Sequence, residues 1–571
     1  MNQAWLPKSV LLIRQYSRDA FIADLLAGLT VGLVALPLAM AFAISSGVPP
    51  QSGIYCAIVA GFLISALGGS RHQIGGPTGA FVVVVADIVA TYGLDGLFMC
   101  TMMAGVMLIL LGATGMGTAV NFIPRPVVVG FTNGIGVLIA STQIKDFLGL
   151  RVDVPSEFWP RMVTLARNAR DYSFPAAALG VATVATLIVW RRYVPRVPGY
   201  IVALVGGTAA VVVFGLQVET IGTRFGGIPS GWPHLVVPTF RADLIPVLFR
   251  PALTVAMLGA IESLMSAVVA DRMGGDRHNP NVELIAQGIA NIASPLVGGL
   301  PATGAIARTA TNVRSGARTP MAGIIHALTL LTILLVAAPA ARFIPLAGLA
   351  GLLLVVAYNV GDWEEIPELL KLTRMDISVW FLTFALTVFA DLTLAVELGM
   401  ILAMLLFIRK VSQTTTVSQV TSDYVEAGRV HILQGKEIPA YVSVFRIHGP
   451  FLFGTTDKIA SIVDQIDDLP PIVIVRLRNM TAIDATGLRA LEDLADRVHK
   501  SGRELILCGA LPQPAALMHQ SEFHEHVGEL NICANIEVAL ERAAEIHQRV
   551  FGLGNRVIEC GIGKLNGALG D

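Results

Sequence analysis

Gly75-Gly76-Pro77-Thr78-Gly79-Ala80-Phe81 and Gly299-Leu300-Pro301-Ala302-Thr303-Gly304-Ala305-Ile306 are two versions of one device. Each is a Gly/Pro cluster opening a short apolar run, and the two lie about 225 residues apart, at corresponding places in two halves of the chain. Paired, interrupted hydrophobic segments of this kind mark binding sites in membrane transporters. The first turn of a helix leaves backbone N–H groups without intrahelical partners, and the macrodipole adds about half a positive charge there. Proline suits the first helical position because it has no N–H to lose, and glycine allows close approach to the backbone. Two half-helices aimed at each other would form an anion cradle from Thr78, Gly79, Ala80, Thr303, Gly304 and Ala305. One cluster alone would read as a kink, since Gly and Pro are common in membrane helices. Two matched clusters favour a site.

The flanking sequence places both clusters in a bilayer. Apolar stretches begin near Phe21, Ile54, Gly76, Gly96, Ala119, Phe174, Gly199, Ile245, Glu283, Pro301, Met321, Phe343, Ile377 and Leu392. A crossing helix needs ~20 apolar residues. The reading is a polytopic α-helical membrane protein of about fourteen spans, built as a 7+7 repeat. With an odd number of spans per half, the second copy must be inverted. A hydrophobic fraction of 54%, only 14% charged residues and a mean hydropathy of +0.68 all argue against a soluble enzyme. A net charge of −1 carries no polybasic signature, so no nucleic-acid partner is expected. Cys56, Cys100, Cys508, Cys533 and Cys560 are scattered without a CxxC pair, so neither a disulfide framework nor a metal site is expected, and no cofactor.

Residues 1–20 carry Lys8, Arg14 and Arg18 ahead of the first apolar run and read as a cytoplasmic segment before an uncleaved anchor. The transmembrane domain is assigned to 21–410, a linker to 411–437, a small folded domain to 438–550 and a tail to 551–571. An even number of spans returns the C-terminus to the cytoplasm in the cell's inner (plasma) membrane. Arg191, Arg192 and Arg196, then Arg272 and Arg277, then Arg314 and Arg318, then Arg409 and Lys410 fall on that side, as the positive-inside rule requires. The loop from Lys145 to Arg170 dissents, with five basic residues on the outer side.

Charges inside spans are costly and mark function. Glu262 lies within span eight, with Ser266 one turn on and therefore on the same face. A carboxyl group there can take a proton or hold a cation; the alternative is an interhelical hydrogen bond. Arg308 lies about two turns into span ten, near the second cluster. Guanidinium matches oxyanions bidentately, so an anion ligand is preferred over an arginine snorkelling to the interface. Asp24 is expected at the start of span one, and Asp87, Asp391 and Glu397 are left without a role.

These residues carry a resemblance. The run from Asp24-Leu25-Leu26-Ala27-Gly28 to Val34-Ala35-Leu36-Pro37 is similar to the first span of the SulP (sulfate permease) anion-transporter family. Gly47-Val48-Pro49-Pro50, Gly68-Gly69-Ser70-Arg71 leading into Gly76-Pro77-Thr78, the Glu262 region and Ala305-Ile306-Ala307-Arg308-Thr309 are similar too. The resemblance implies a core domain of spans 1–4 and 8–11 and a gate domain of spans 5–7 and 12–14. It also implies a substrate between spans three and ten, elevator-like movement and a homodimer. Many sulfate-transporting members have Gln after the first-span proline and Tyr four residues later; Leu38 and Phe42 stand there, as in bicarbonate- and dicarboxylate-type relatives. Sodium-coupled bicarbonate members have Asp and Thr where this chain has Glu262 and Ser266, and the glutamate resembles proton-coupled members.

In the polar tail, Tyr441–Ile447, Ile472–Leu477 and Glu504–Cys508 read as strands separated by helical segments, an α/β pattern. Asp484-Ala485-Thr486-Gly487 opens a helix, where Asp484 and Thr486 suit a cap or an anion; capping is preferred. The arrangement resembles a STAS domain, which implies an unknown cytoplasmic partner. Ala485 occupies the place of the phosphorylated serine in anti-sigma-factor antagonists of that fold, which argues against the usual phosphoswitch and leaves Thr486 as a weak substitute. His519, His524 and His526 have no Cys or HExxH pattern beside them.

The expected function is secondary active transport of an inorganic anion, sulfate first, with a proton or sodium as coupling ion. Bicarbonate or a C4-dicarboxylate is the alternative substrate, and a non-transporting anion sensor the alternative class. No HExxH, nucleophile elbow or Walker lysine is present, so no enzyme activity is expected.

Overall fold

A computed structural model describes residues 5–13, 16–117, 124–155, 157–193, 199–236, 239, 241–390, 392–420 and 438–550. The expectations for Arg14, Arg196, Asp391 and Cys560, for 421–437 of the linker and for the 551–571 tail lie outside these residues. The chain divides into two compact units, Met1–Ala403 and Met404–Asp571.

In the first unit a short helix, α1 (Lys8–Leu12), precedes α2 (Arg18–Ser45), whose start is capped by Ser17 accepting from the Ala20 N–H. α3 (Pro50–Leu67) begins on a proline. α4 (Phe81–Ala113) contains two of the expected spans, because Gly93 at φ +72° and ψ −173° breaks the helical path. α5 (Arg125–Leu148), the connecting α6 (Phe158–Arg167), α7 (Phe174–Tyr193) and α8 (Gly199–Phe214) follow, then a short α9 (Ile221–Phe225). The second half runs through α10 (Ile245–Gly274), α11 (Pro280–Ala293), α12 (Ile306–Arg314), α13 (Met321–Ala341) and α14 (Leu346–Val360). It ends with α15 (Ile366–Leu369), α16 (Arg374–Phe389) and α17 (Leu392–Thr414), inside which the division between the units falls. With α4 counted as two and the connectors α1, α6, α9 and α15 set aside, fourteen helical segments among the described residues answer to the fourteen expected spans. α12 has 9 residues. At 1.5 Å per residue that is about 14 Å, under half of a ~30 Å bilayer core, so α12 is a half-helix.

Packing sorts the spans into the two expected sets. α2 packs on α3 and α13, and α4 on α10 and α11. Separately, α5 packs on α14 and α16, and α7 on α14. Small residues allow these close approaches: a Cβ on Gly105 would lie 2.7 Å from the Gly288 carbonyl oxygen, and one on Gly288 2.5 Å from that of Gly105. Two buried carboxylates hold the core together as caps on distant backbone. Asp24 accepts from the N–H groups of Arg318 (2.6 Å) and Thr319 (3.1 Å) and from the Thr319 hydroxyl (2.5 Å). Glu283 accepts from the N–H groups of Gly69 (2.9 Å) and Ser70 (3.0 Å). The basic loop after α5 has a structural use for one of its arginines: Arg161 is buried and donates to Ser141 Oγ (2.9 Å) and the Pro155 carbonyl (3.2 Å).

The second unit is a five-stranded sheet, in the order β3 (Thr416–Gln419), β4 (Val442–His448), β5 (Ile472–Asn479), β6 (Glu504–Cys508) and β7 (Ile532–Cys533); β1 and β2 belong to the membrane unit. β3 is antiparallel to β4 and the remaining pairs are parallel. β3 falls inside the segment read as a linker. Its four residues are too few, and Ser418 and Gln419 too polar, to signal a strand, but it covers the edge of β4. One sheet face packs on the helix Ala485–Lys500 through Leu488, Leu491 and Leu494, the other on Ile536–Val550 through Ile536, Ala539, Ala543 and Ile546. Cys508 lies in the second interface, and burial pushes its thiol up to about 12. At pH 7 it is then almost wholly protonated. Iodoacetamide is expected to label it about a thousandfold more slowly than an exposed cysteine until the protein unfolds; rapid labelling of folded protein would show that this face of the sheet is open.

Candidate functional site

The two Gly/Pro clusters meet. β1 (Gly75–Gly76) and β2 (Thr303–Gly304) pair antiparallel, Gly75 opposite Gly304 and Gly76 opposite Thr303. Further bonds pin the crossing. The Ala305 N–H donates to the Ile74 carbonyl (2.9 Å), and Asn291 makes two bonds to the Ala302 backbone, at 2.9 and 2.8 Å. The α4 and α12 helices begin just beyond the crossing, at Phe81 with Ala80 as N-cap and at Ile306 with Ala305 as N-cap. Two helix starts therefore converge on one small volume, with Thr78, Gly79, Ala80, Thr303, Gly304 and Ala305 around it.

The prolines act differently from the sequence expectation. Pro77 and Pro301 precede the helices by several residues and do not occupy the first helical position. After Pro301 the paired strand Thr303–Gly304 comes before the helix, and after Pro77 a turn at Gly79–Ala80 does. For the same reason Arg308 lies in the first turn of α12, not two turns in. Its side chain is buried; one guanidinium nitrogen donates to the Pro77 carbonyl, while Nη1 has no hydrogen-bond partner among the described residues. Gly76 makes room for it: at φ +143°, it would place a Cβ 2.7 Å from Arg308 Nη1.

α10 runs alongside the crossing. The Thr78 hydroxyl donates to Glu262 Oε2 (2.8 Å), and one turn earlier the Thr303 hydroxyl donates to the Gly259 carbonyl (2.9 Å). Ser266 shares the Glu262 face of the helix but turns elsewhere: its hydroxyl donates to Thr309 Oγ1 (3.0 Å), which also accepts from the Ile74 N–H (3.0 Å). Gln73 donates to Ser263 (2.8 Å). Thr309, Gln73 and Asn291 were missed as site-supporting residues. Thr309 stands next to Arg308 in the motif, and its adjacency was the available signal; the other two gave none. In the second unit, Asp484 is a cap, accepting from the N–H groups of Gly487 (2.8 Å) and Phe453 (3.0 Å), while Thr486 is exposed.

The chemistry on offer is that of an oxyanion receptor: first-turn amides of two helices, a buried guanidinium with a spare donor, and a carboxyl group one hydroxyl away. Gly79 is buried, and a Cβ on it would meet Ile139 Cδ1 at 3.3 Å, Phe42 Cε1 at 3.4 Å and Val360 Cγ2 at 3.6 Å. Gly79→Val overpacks this space, a cost of about 1–3 kcal/mol. Anion uptake is expected to fall about tenfold or more at equal folded protein, and unchanged uptake would place the substrate elsewhere. Gly304→Val cannot serve as a parallel test, because a Cβ there would lie 1.7 Å from Gln73 Nε2 and disrupt the crossing itself.

The pattern of the sulfate permease family matches residues 21–383. The chain belongs to that family. A STAS domain match covers residues 436–539, in the sheet-bearing unit. A putative sulfate transporter of Bacillus subtilis, YvdB, is 41% identical over 90% of this chain and 96% of its own length. The bicarbonate transporter BicA of a Picosynechococcus strain is 31% identical over 91% and 94%. The transmembrane domain of a cyanobacterial BicA superposes with a TM-score of 0.58 at 33% identity, covering 68% of this chain and 98% of that one. Murine Slc26a9 in its inward-facing state superposes with a TM-score of 0.84 over 95% of this chain and 94% of that one; at 18% identity this speaks to the fold.

Proposed function

We propose that this chain is a secondary active transporter of a small inorganic oxyanion in the plasma membrane, with sulfate as the first candidate. The core set of helices carries the anion past the gate set in an elevator-like movement, with both termini in the cytoplasm and two copies forming a dimer. One observation carries the reading: Arg308, buried between two helix starts, keeps a guanidinium nitrogen without a partner among the described residues. A buried unsatisfied charge is costly, and an oxyanion seated between Ala80 and Ala305 would satisfy it.

Coupling to protons through Glu262 is favoured over sodium. Sodium needs a cage of several oxygens, whereas Ser266 is engaged with Thr309 and, among the described residues, only Thr78 hydrogen-bonds to Glu262. The bicarbonate reading stands second, on a specific observation: Phe42, Ile139 and Val360 make the wall facing Gly79 apolar, which suits an anion needing fewer donors than tetrahedral sulfate. Uptake of radiolabelled sulfate and bicarbonate into proteoliposomes decides. Accumulation of either supports transport and identifies the anion; saturable binding of both without flux would make the protein a sensor.

A further inference from the structure

Glu397 on α17 faces Arg250 on α10. The guanidinium donates through Nε to Glu397 Oε1 (2.9 Å) and through Nη2 to Oε2 (2.5 Å), a planar fork on both carboxylate oxygens. Each residue is the sixth of its helix, about 8 Å along from the start. Their exposed neighbours are apolar: Val247, Phe249 and Leu253 on α10, and Leu398 and Ile401 on α17. The pair therefore sits on a face that meets lipid. An unpaired charge is costly there, and the attraction within a pair is little screened.

The two partners belong to different helix sets. α10 packs on α4 in the core. α17 belongs with the gate: a Cβ on Gly399 would lie 2.6 Å from Thr383 Oγ1 on α16 and 3.3 Å from Val127 Cγ1 on α5. As spans eight and fourteen of the repeat, α10 and α17 stand where α2 and α8 stand in the first half, and α2 packs on α8. A second tie joins the sets, since Gln143 Nε2 on α5 donates to Ser45 Oγ on α2 (3.0 Å). The ends of spans one and five and the starts of spans eight and fourteen lie on one side of the bilayer. Both ties are on that side. A two-bond fork demands close distances and fixed angles, so it cannot follow a partner that slides past it.

We infer that Arg250 and Glu397 form a latch between core and gate, which holds the two helix sets in register and must open before the core can shift. The inference rests on the elevator reading and names the pair that governs the movement. Arg250 is about 18 Å along α10 from Glu262, so the latch acts on the movement of the core and not on the anion. It gives Glu397, a charge inside the last span, a function.

Hydrogen–deuterium exchange on the full chain in nanodiscs tests this without any substrate. The readout is the amides of 46–48 and 149–150, which are hydrogen-bonded at the ends of α2 and α5 beside the second tie. Arg250 has a further interaction of its own, so Glu397→Gln is the cleaner way to open the latch. Exchange at 46–48 and 149–150 is expected to speed about fivefold or more in Glu397→Gln. It should return to within about twofold of wild type when the charges are exchanged, in Arg250→Glu combined with Glu397→Arg. A pair with only a local role would alter exchange in 245–252 and 392–399 alone. That result, unchanged exchange in Glu397→Gln, or no recovery with the charges exchanged overturns the latch. Anion flux is measured on the same wild-type preparation. Its absence would count against the transport reading, while the exchange result would still decide whether the pair ties the two helix sets.

Discussion

Arg308→Ala is expected to weaken anion binding by about a hundredfold or more, roughly 3 kcal/mol, and to reduce uptake to background. The side chain is buried, and its spare nitrogen lies where the helix starts of α4 and α12 converge. The substitution also removes the bond to the Pro77 carbonyl, so part of the loss could arise from a loosened crossing. Arg308→Lys separates the two effects. It keeps the charge, but a point charge on a flexible stem cannot hold Pro77 and the anion as a planar fork does. An intermediate affinity in the lysine variant, with both proteins monodisperse, supports direct contact. Wild-type affinity in well-folded Arg308→Ala would remove the residue from the site.

Glu262→Gln is expected to uncouple transport. The variant keeps the size of the side chain and its reach to the Thr78 hydroxyl but cannot carry a proton. If one proton accompanies each anion, a pH difference of one unit supplies about 1.4 kcal/mol, or about tenfold accumulation, and inward flux rises as external pH falls. In Glu262→Gln the accumulation ratio should fall to one and the pH profile flatten, while anion exchange at equilibrium persists. A sodium gradient at fixed pH that drives wild-type accumulation, lost in the variant, would instead make the carboxylate a sodium ligand. Unchanged accumulation under both gradients leaves Glu262 with a structural role.

Much of this architecture was legible because long-range features of a membrane protein leave local marks. The spans are read from apolar length, and the break at Gly93 that divides α4 comes close to where the sequence parts spans three and four. The two clusters at 75–81 and 299–306 announce themselves as breaks in hydrophobic runs. Their mutual pairing was not legible, because two-residue strands of Gly-Gly and Thr-Gly have no propensity signal and owe their geometry to each other. That pairing moved Arg308 into the first turn and Pro301 out of it. Asp24 and Glu283 were unreadable for a related reason: the amides they cap are 294 and 214 residues away. In the tail, β5 and β6 were visible as apolar runs.

The most direct test of the cradle is a cryo-EM map of the protein saturated with the anion it accumulates. The account predicts density between the N-terminal turns of α4 and α12, within hydrogen-bond distance of Arg308 Nη1 and of the amides beside Ala80 and Ala305. Density for the anion at any other place in the membrane unit, with the volume between the two helix starts empty, would contradict it.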